Sequence, residues 1–328
     1  MVPKTARVRG RSVTALLLGV ILALAAVMPF AGSTAAQDAT PEATPEPSGL
    51  AALGLQEITV TAQEATYSIT YLPPLVEGWA MVSLVNASEA PATVNVAQIP
   101  EETSVGDVSS AMFSAFQGEG GELPEWWADT TFAGGAWAGA GETVQTAVYL
   151  TPGEWVAFST NPLSVQPVQT FAVATEEDLV NIYGVEPEAT PVGATPVADA
   201  TPVVEVEGLD SDGTVSITDG AFSIAEAPVA GPQVWEVTND SSQTSEIVLV
   251  SVDYDIPEEE AVLWVGTFAA GDLGNAVIEN GSGLLGPGSS AYVSVDLAPG
   301  TYVLFSAAPD SAGGLQSDNG LVTVFVVE

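Results

Sequence analysis

Histidine and cysteine are absent from the 328-residue chain, and lysine and arginine together occur only four times. The four cations are Lys4, Arg7, Arg9 and Arg11, so no basic side chain follows residue 11. Acidic residues number 42, and the formal net charge is −38. These absences exclude disulfides and every catalytic arrangement that needs an imidazole or a thiolate. They also exclude salt bridges to Lys or Arg beyond the N-terminus.

The acidic balance limits the partners that the chain can bind. Nucleic acids and anionic membrane surfaces are bound through cationic side chains, so we expect neither as a partner. Carboxylates are the main groups left for acid–base chemistry, as in glycosidases. No spacing singles out a catalytic pair among the 42 acids, so we expect the chain not to be an enzyme.

The N-terminus has the three parts of a secretory signal peptide. Basic residues precede the apolar run Val13–Phe30, and small residues follow it in "AGSTAAQ". Thr34 and Ala36 fit the small-residue rule, which predicts cleavage after Ala36 and before Gln37. An uncleaved membrane anchor is the alternative, but the apolar run is short for a bilayer span. We therefore expect a secreted or cell-envelope protein.

Two acidic segments rich in the tripeptide Ala-Thr-Pro divide the chain. They are "QDATPEATPEPSG" and "VEPEATPVGATPVADATPVV", and their composition favours extended spacers over packed structure. The predicted organisation is a signal peptide (1–36), a linker (37–54), a folded unit (55–184), a second linker (185–207) and a second folded unit (208–328).

The two folded units share one sequence plan, which indicates duplication. "GETVQTAVYLTPG" (Gly141–Gly153) aligns without a gap to "GSSAYVSVDLAPG" (Gly288–Gly300), and "EWVAFS" then matches "TYVLFS". Segments rich in β-branched and aromatic residues, punctuated by Gly and Pro, predict strands. The predicted fold class is therefore all-β, with two tandem Greek-key β-sandwiches.

Each unit also contains one segment typical of a short helix. In the first unit, apolar residues recur at helical spacing from Val105 to Phe116, and Ser104 with Asp107 resembles a capping box. In the second unit, Asp255 and Glu258 are candidate capping residues for a helix near "PEEEAVLWVGTFA".

The second unit resembles the cupredoxin family of blue copper proteins. The resemblance lies in the segment Asn239–Val250, in "GLLGPGSSAYVSVDLAPGTYVLF" and in the closing "GLVTVFVV". The first unit shares the plan more weakly. The resemblance implies a cupredoxin-like β-sandwich, in which the family binds copper through two His, one Cys and a weak Met.

At the positions where the resemblance would place the copper ligands, this chain has other residues. Ser245 takes the place of the first His, Ser306 of the Cys, Gln316 of the second His and Leu321 of the Met. The first unit has Ala92 and Ser159 at the corresponding positions. None of these side chains replaces a thiolate or an imidazole, so we predict no type-1 copper site and no cofactor.

An acidic run offers an alternative metal site. "DYDIPEEE" contains Asp253, Asp255 and Glu258–Glu260, and calcium prefers several oxygen ligands. A helix N-terminus is the competing interpretation, because acidic residues there favour the helix dipole. The stretch "LDSDGTVSITDG" (Leu209–Gly220) superficially resembles a calcium loop, but it lacks the glutamate at the twelfth position, and we interpret it as a turn.

Two further patterns carry weaker signals. "PEWW" (Pro124–Trp127) together with Trp137 predicts an aromatic cluster. It is either a sugar- or partner-binding platform or, as we favour, core packing or a lid over the end of the sandwich. Asn86, Asn239 and Asn280 each begin an Asn-x-Ser sequon, and we interpret them as turn residues.

Taken together, the sequence predicts a secreted, non-catalytic binding or structural module of the cell envelope or extracellular space. A protein or glycan partner at the envelope fits this interpretation. The alternative is a carboxylate-based calcium-binding protein.

The absence of cations makes the processed chain testable with trypsin, which cleaves after Lys or Arg. If cleavage follows Ala36, the mature protein (residues 37–328) should keep its intact mass after trypsin treatment in denaturant, because it has no Lys or Arg. Intact-mass spectrometry checks this, with digestion of the uncleaved precursor as the control. Tryptic fragments arising within 37–328 would contradict it.

Overall fold

The computed structural model describes residues 49–64, 66–115, 123–160, 168–183, 210–269, 274–312 and 314–328. The predicted signal peptide (1–36), most of the predicted first linker and the predicted second linker (185–207) lie outside the described residues. In the described part of the chain, no helix is both long enough and apolar enough to cross a membrane.

The described residues form seventeen strands and three α-helices. The strands of the first half are β1 (Gln56–Gln63), β2 (Thr66–Tyr71), β3 (Leu75–Val76), β4 (Gly78–Asn86), β5 (Ala92–Gln98), β6 (Thr131–Ala138), β7 (Thr143–Leu150), β8 (Gly153–Phe158) and β9 (Val168–Ala174). Those of the second half are β10 (Gly213–Thr218), β11 (Ala221–Ile224), β12 (Gly231–Asn239), β13 (Val248–Val252), β14 (Val277–Gly281), β15 (Ser290–Leu297), β16 (Gly300–Phe305) and β17 (Val322–Val327). The helices are α1 (Val105–Ala115), α2 (Glu176–Tyr183) and α3 (Glu258–Ala269).

The strands pair into three sheets whose order repeats between the halves. An eight-stranded sheet has the order β11-β10-β12-β15-β7-β4-β1-β2. A five-stranded sheet, β3-β9-β8-β5-β6, belongs to the first half, and a four-stranded sheet, β14-β13-β16-β17, belongs to the second. In each half the first strand pairs antiparallel with the second and parallel with a later one. The predicted all-β, two-sandwich fold class is confirmed.

The burial of alternate side chains explains why these segments become strands. In β10, Val215 and Ile217 are buried while Thr214 and Ser216 are only half-buried, as period-2 patterning requires for a strand with one face on the core. The central strands β5 and β13 are buried on both faces, and their β-branched residues tolerate this. Each of these two strands has an irregularity in its pairing register, between Val96 and Ala97 and between Leu249 and Val250.

The two halves share one sheet through a short strand contact. β7 and β15 pair antiparallel over three residues, from Ala291 opposite Val148 to Val293 opposite Thr146. A second contact joins β5 to the segment after β14, where the Asn95 Oδ1 atom accepts a hydrogen bond from the Leu284 backbone N–H at 2.7 Å. Residues Glu46–Glu328 accordingly form one unit.

A short 3-10 helix, Gly49–Leu53, covers the junction of the halves. Its Leu50 is buried in a cluster with Met81 and Ala147 of the first half and Val234 and Tyr292 of the second. Because this cluster takes side chains from both halves, the segment before β1 contributes apolar contacts to each of them. These residues fall at the end of the segment that the composition predicts as a linker (37–54).

The predicted helices are present, and a third accompanies them. α1 begins after Ser104, and the capping box is formed, since Asp107 Oδ2 accepts from the Ser104 backbone at 3.1 Å and Ser104 Oγ accepts from the Asp107 backbone at 3.1 Å. The Ser104 hydroxyl, followed by the Ser104 backbone N–H, donates to the Asp107 carboxylate and lowers its pKa. In α3 the acidic residues occupy the first turn, but Asp255 does not cap it and instead accepts from Thr301 Oγ1 at 3.4 Å. α2 was not predicted, although Thr175 and Asp178 form an equivalent capping box.

The seam between the halves should be sensitive to one added methyl group. Gly283 has a φ of +59°, and a Cβ at this position would lie 2.6 Å from the Gly135 nitrogen. We expect Gly283→Ala to destabilise the protein by about 3 kcal/mol, through left-handed strain and overpacking together. Gly288→Ala is the control, because its φ is +75° but nothing lies within 4 Å of its Cβ position. Chemical denaturation measures both, and equal losses would show that backbone strain alone matters.

Candidate functional site

Three of the four residues that the resemblance places at copper-ligand positions contact one another. Ser245 Oγ donates to Gln316 Oε1 at 2.6 Å, and Ser306 Oγ donates to the same oxygen at 3.0 Å. The two hydroxyl oxygens are 3.4 Å apart. We call these three residues the hydroxyl–amide cluster. All three are buried. Their mutual contacts show that the sequence positions inferred from the resemblance lie close together in space.

The hydroxyl–amide cluster is satisfied by its own hydrogen bonds. Gln316 Nε2 donates to the Thr244 carbonyl at 2.8 Å and to the Pro309 carbonyl at 3.3 Å. Ser306 Oγ also accepts from the Ala308 backbone N–H at 3.3 Å. The amide therefore uses both its donors and its acceptor within the fold. Buried polar groups that are paired in this way stabilise the structure, whereas the same groups unpaired would cost free energy.

Backbone pairing brings the members of the cluster together from three parts of the chain. Ser245 lies in an isolated bridge with Leu285, which fixes it just before β13. Ser306 directly follows β16, and Gln316 begins the 3-10 helix Gln316–Asn319. Leu321, at the fourth ligand position, is also buried, and its backbone carbonyl accepts from the Ser306 N–H at 3.0 Å.

A small polar cavity of about 180 Å³ lies beside the cluster. Its lining includes Gln316 and Leu321 together with Thr218, Asp219, Ser241, Gln243, Asp310 and Asn319. The Asp310 carboxylate binds neighbouring parts of its own loop: it accepts hydrogen bonds from the Gly314 N–H at 2.9 Å and from Asn319 Nδ2 at 2.6 Å. Asp219 accepts from the Ser242 backbone and hydroxyl, which lowers the pKa of this carboxyl.

The corresponding positions of the first half contain an alanine and a serine. Ala92 is part of the main hydrophobic core, and Ser159 is buried. Nearby, Asn95 Nδ2 donates to Thr160 Oγ1 at 3.1 Å. Among the described residues, no three His, Cys, Asp or Glu side chains are grouped so that they could bind a metal ion.

The acidic run has the geometry of a helix start. Asp253, Asp255 and Glu258–Glu260 are all exposed, and Asp253 accepts from Asn275 Nδ2 at 3.2 Å. The described part of "LDSDGTVSITDG" is mainly strand β10, and a turn follows it at Asp219 and Gly220, so the interpretation of the whole stretch as a turn is corrected. The segment pairs with β12 as a strand, and this places Val215 and Ile217 in the core.

The predicted aromatic cluster divides into two separate groups. Trp127 packs on Phe132, with ring centroids 4.5 Å apart, in a cluster with Phe158. Trp137 instead packs near Phe268 of α3, in a different cluster. Both tryptophans are nearly inaccessible to solvent, which supports core packing. The prediction that they belong to one cluster is wrong.

The three sequon asparagines are buried structural residues. Asn86 and Asn239 end β4 and β12, and each side-chain oxygen accepts from a Ser two residues later, as in a turn. Asn280 differs from the prediction because it lies within β14, where its Nδ2 donates to the Ser294 carbonyl at 2.7 Å. The amide of Asn280 thus links β14 to β15 across the sandwich and takes no part in a turn.

A buried acid next to the cluster was missed at the sequence level. Glu246 is fully buried, and its Oε2 accepts from Trp137 Nε1 of the other half at 2.9 Å. Its Oε1 has no hydrogen-bond partner among the described residues. Burial raises the pKa of Glu246 to about 7, and hydrogen bonds from Trp137 and the Ala307 backbone offset only part of that rise. The available signal was a charged residue directly before the apolar run "IVLV".

Comparison with known proteins returns no family model and no curated protein that matches the chain. Similar solved structures include auracyanin from Roseiflexus castenholzii, at 21% identity and a TM-score of 0.26, covering 35% of this chain and 94% of that one. Auracyanin A, a blue copper protein from Chloroflexus aurantiacus, is 22% identical with a TM-score of 0.25, covering 35% and 98%. A copper-containing nitrite reductase from Thermus scotoductus is 11% identical with a TM-score of 0.21, covering 83% and 61%. The strand pairing described above defines the architecture.

The buried acid should make stability depend on pH. A raised folded-state pKa means that stability is complete below the unfolded value of 4.5 and is lost as the pH rises through about 7. We expect the free energy of unfolding of the parent protein to fall by about 3 kcal/mol between pH 5 and pH 8. Glu246→Gln should not show this fall, because the amide stays neutral and keeps an acceptor for Trp137. Denaturant titrations at both pH values measure this.

The matched control for this experiment is Glu154→Gln, which removes an exposed carboxylate from β8. This variant should retain the pH dependence of the parent protein. If both variants flatten the pH profile equally, general carboxylate repulsion rather than Glu246 is responsible.

Proposed function

We propose that the chain is a secreted, non-catalytic binding or structural module whose cupredoxin-like scaffold has a hydrogen-bonded hydroxyl–amide cluster in place of a copper site. The observation that carries this proposal is the mutual bonding of Ser245, Ser306 and Gln316 through one amide oxygen. Type-1 copper requires a thiolate and imidazoles, whereas this cluster offers two neutral hydroxyls and an amide. Capture of a metal by these atoms would also break hydrogen bonds that the buried groups need.

The tandem arrangement is the second part of the proposal. Both halves follow the same order of strand pairing, and each has a helix between equivalent strands: α1 lies between β5 and β6, and α3 lies between β13 and β14. This parallel supports a duplication of one ancestral sandwich. The proline-rich acidic segment 185–207 would then serve as the extended connection between the two sandwiches.

The location and partner class follow from the sequence. The signal-peptide pattern supports export, and an acidic chain without cations after Arg11 favours partners other than nucleic acid or anionic membranes. A protein or glycan of the cell envelope fits both considerations. The absence of imidazole and thiol groups from the sequence supports a non-catalytic role.

Copper titration of the purified 37–328 protein tests the proposal. We expect no intense visible thiolate-to-copper band, because the hydroxyl–amide cluster supplies no thiolate. The fourfold variant Ser245→His, Ser306→Cys, Gln316→His and Leu321→Met should gain such a band if the scaffold retains the geometry of the site. A strong band in the unmodified protein would overturn the proposal.

A threefold variant that keeps Ser306 but carries the other three substitutions is the matched control. It can bind copper through imidazoles but cannot show the thiolate band. A weak signal in this control and an intense one in the fourfold variant would assign the band to position 306. Calorimetry with calcium in the same series tests the alternative class, and a saturable calcium isotherm would favour that class over the proposal.

A further inference from the structure

The seam between the halves contains a second cavity, unrelated to the hydroxyl–amide cluster. β7 and β15 pair only as far as Val148 and Ala291, and the next residues, Tyr149 and Ser290, line a cavity of about 50 Å³. We call this cavity the seam pocket. Its walls also include Trp79, Trp155 and Glu236, so they come from both halves of the protein. Ligand cavities usually exceed about 300 Å³, so the seam pocket encloses only the end of a ligand and leaves the rest outside the cavity.

The aromatic side chains of the seam pocket are fixed in place before any ligand arrives. Trp79 lies opposite Tyr149 on the neighbouring strand, with ring centroids 5.7 Å apart and planes at 79°. Its ring also contacts Tyr292 of the other half, at 5.0 Å and 60°. Trp155 is held by its Nε1, which donates to the Thr151 carbonyl at 2.8 Å. Preorganised aromatic walls of this kind lose little conformational entropy on binding.

The charges around the seam pocket are of one sign. Glu236 lines the cavity from β12, and Glu77 lies beside it, where its Oε1 accepts from the Tyr149 hydroxyl at 3.4 Å. Burial, followed by the Glu77 carboxylate, raises the pKa of Tyr149, which keeps this hydroxyl neutral and able to donate. The sequence provides no Lys, Arg or His after Arg11, so no basic side chain of the folded part can neutralise these acids.

We propose that the seam pocket binds the quaternary ammonium head group of a small organic cation. Aromatic faces attract cations through their quadrupole, and a carboxylate adds direct charge complementarity. A quaternary ammonium suits this lining better than a strongly hydrated primary amine, because its methyl groups pack on apolar walls and it has no N–H donors to satisfy. The inference is independent of the proposed function, since copper titration does not probe the seam pocket.

Calorimetric titration of the 37–328 protein with choline is the direct experiment, with tryptophan fluorescence as a second readout. The matched ligand is 3,3-dimethyl-1-butanol, a neutral compound of the same shape. We expect saturable binding of choline and at least tenfold weaker binding of the alcohol. Absence of saturable choline binding would overturn the proposal. Equal binding of the two compounds would do so as well, because it would identify an apolar cavity without charge recognition.

Two variants separate the seam pocket from general attraction to an acidic protein. Glu236→Gln should weaken choline binding at least tenfold, while Glu226→Gln, which removes an exposed acid that does not line the pocket, should leave the affinity unchanged. Thermal melts of both variants establish that they are folded. Equal losses in the two variants would assign the binding to diffuse charge and overturn the proposal. Trp79→Leu, which removes one aromatic wall, should weaken choline more than it weakens the neutral alcohol.

Discussion

Uncharged groups are the side-chain and backbone donors that hold this structure together, because no Lys or Arg follows Arg11. With no Lys or Arg after residue 11, buried carbonyls and loop ends must be satisfied by amides, hydroxyls and backbone N–H groups. Asn86 and Asn239 illustrate this at equivalent places, since each Nδ2 donates to backbone carbonyls while each Oδ1 accepts from the following turn. Gln316 Nε2 likewise donates to two backbone carbonyls. An amide is well suited to this work because it has both donors and acceptors and carries no charge to desolvate.

The fold could be predicted largely from the sequence because its signals are local and repeated. Strand alternation, the aligned turns at Gly153 and Gly300 and the capping box at Ser104 all arise from residues close together in the chain. The pairing of β7 with β15 could not be predicted in this way, because each half on its own is a complete pattern. Helix α2 was overlooked since a segment of eight residues has a weak periodic signal, even with its own Thr175–Asp178 capping box.

The candidate site was predictable in position but not in chemistry. The resemblance places Ser245, Ser306 and Gln316 at corresponding ligand positions, and they do converge. That they bond to one another, and that Glu246 lies next to them with Trp137 of the other half, depends on side-chain directions that only the assembled sheets define. The seam pocket could not be predicted for the same reason: Trp79 on β4 and Glu236 on β12 come to line one cavity only when β7 and β15, which lie between these strands, pair with each other.

The shared sheet also has a consequence for the order of events during synthesis. When the first half emerges, β7 is an open sheet edge, and its neighbour β15 is not yet made. An uncovered edge of this kind can pair with another chain, and its exposure lasts until the second half is complete. Acidic side chains along the nascent chain repel other copies over this interval, which gives the strong negative charge a protective role before folding ends. The N-terminal half thus has an unpaired edge at β7 until β15 of the same chain pairs with it, and charge repulsion limits pairing with other chains before then.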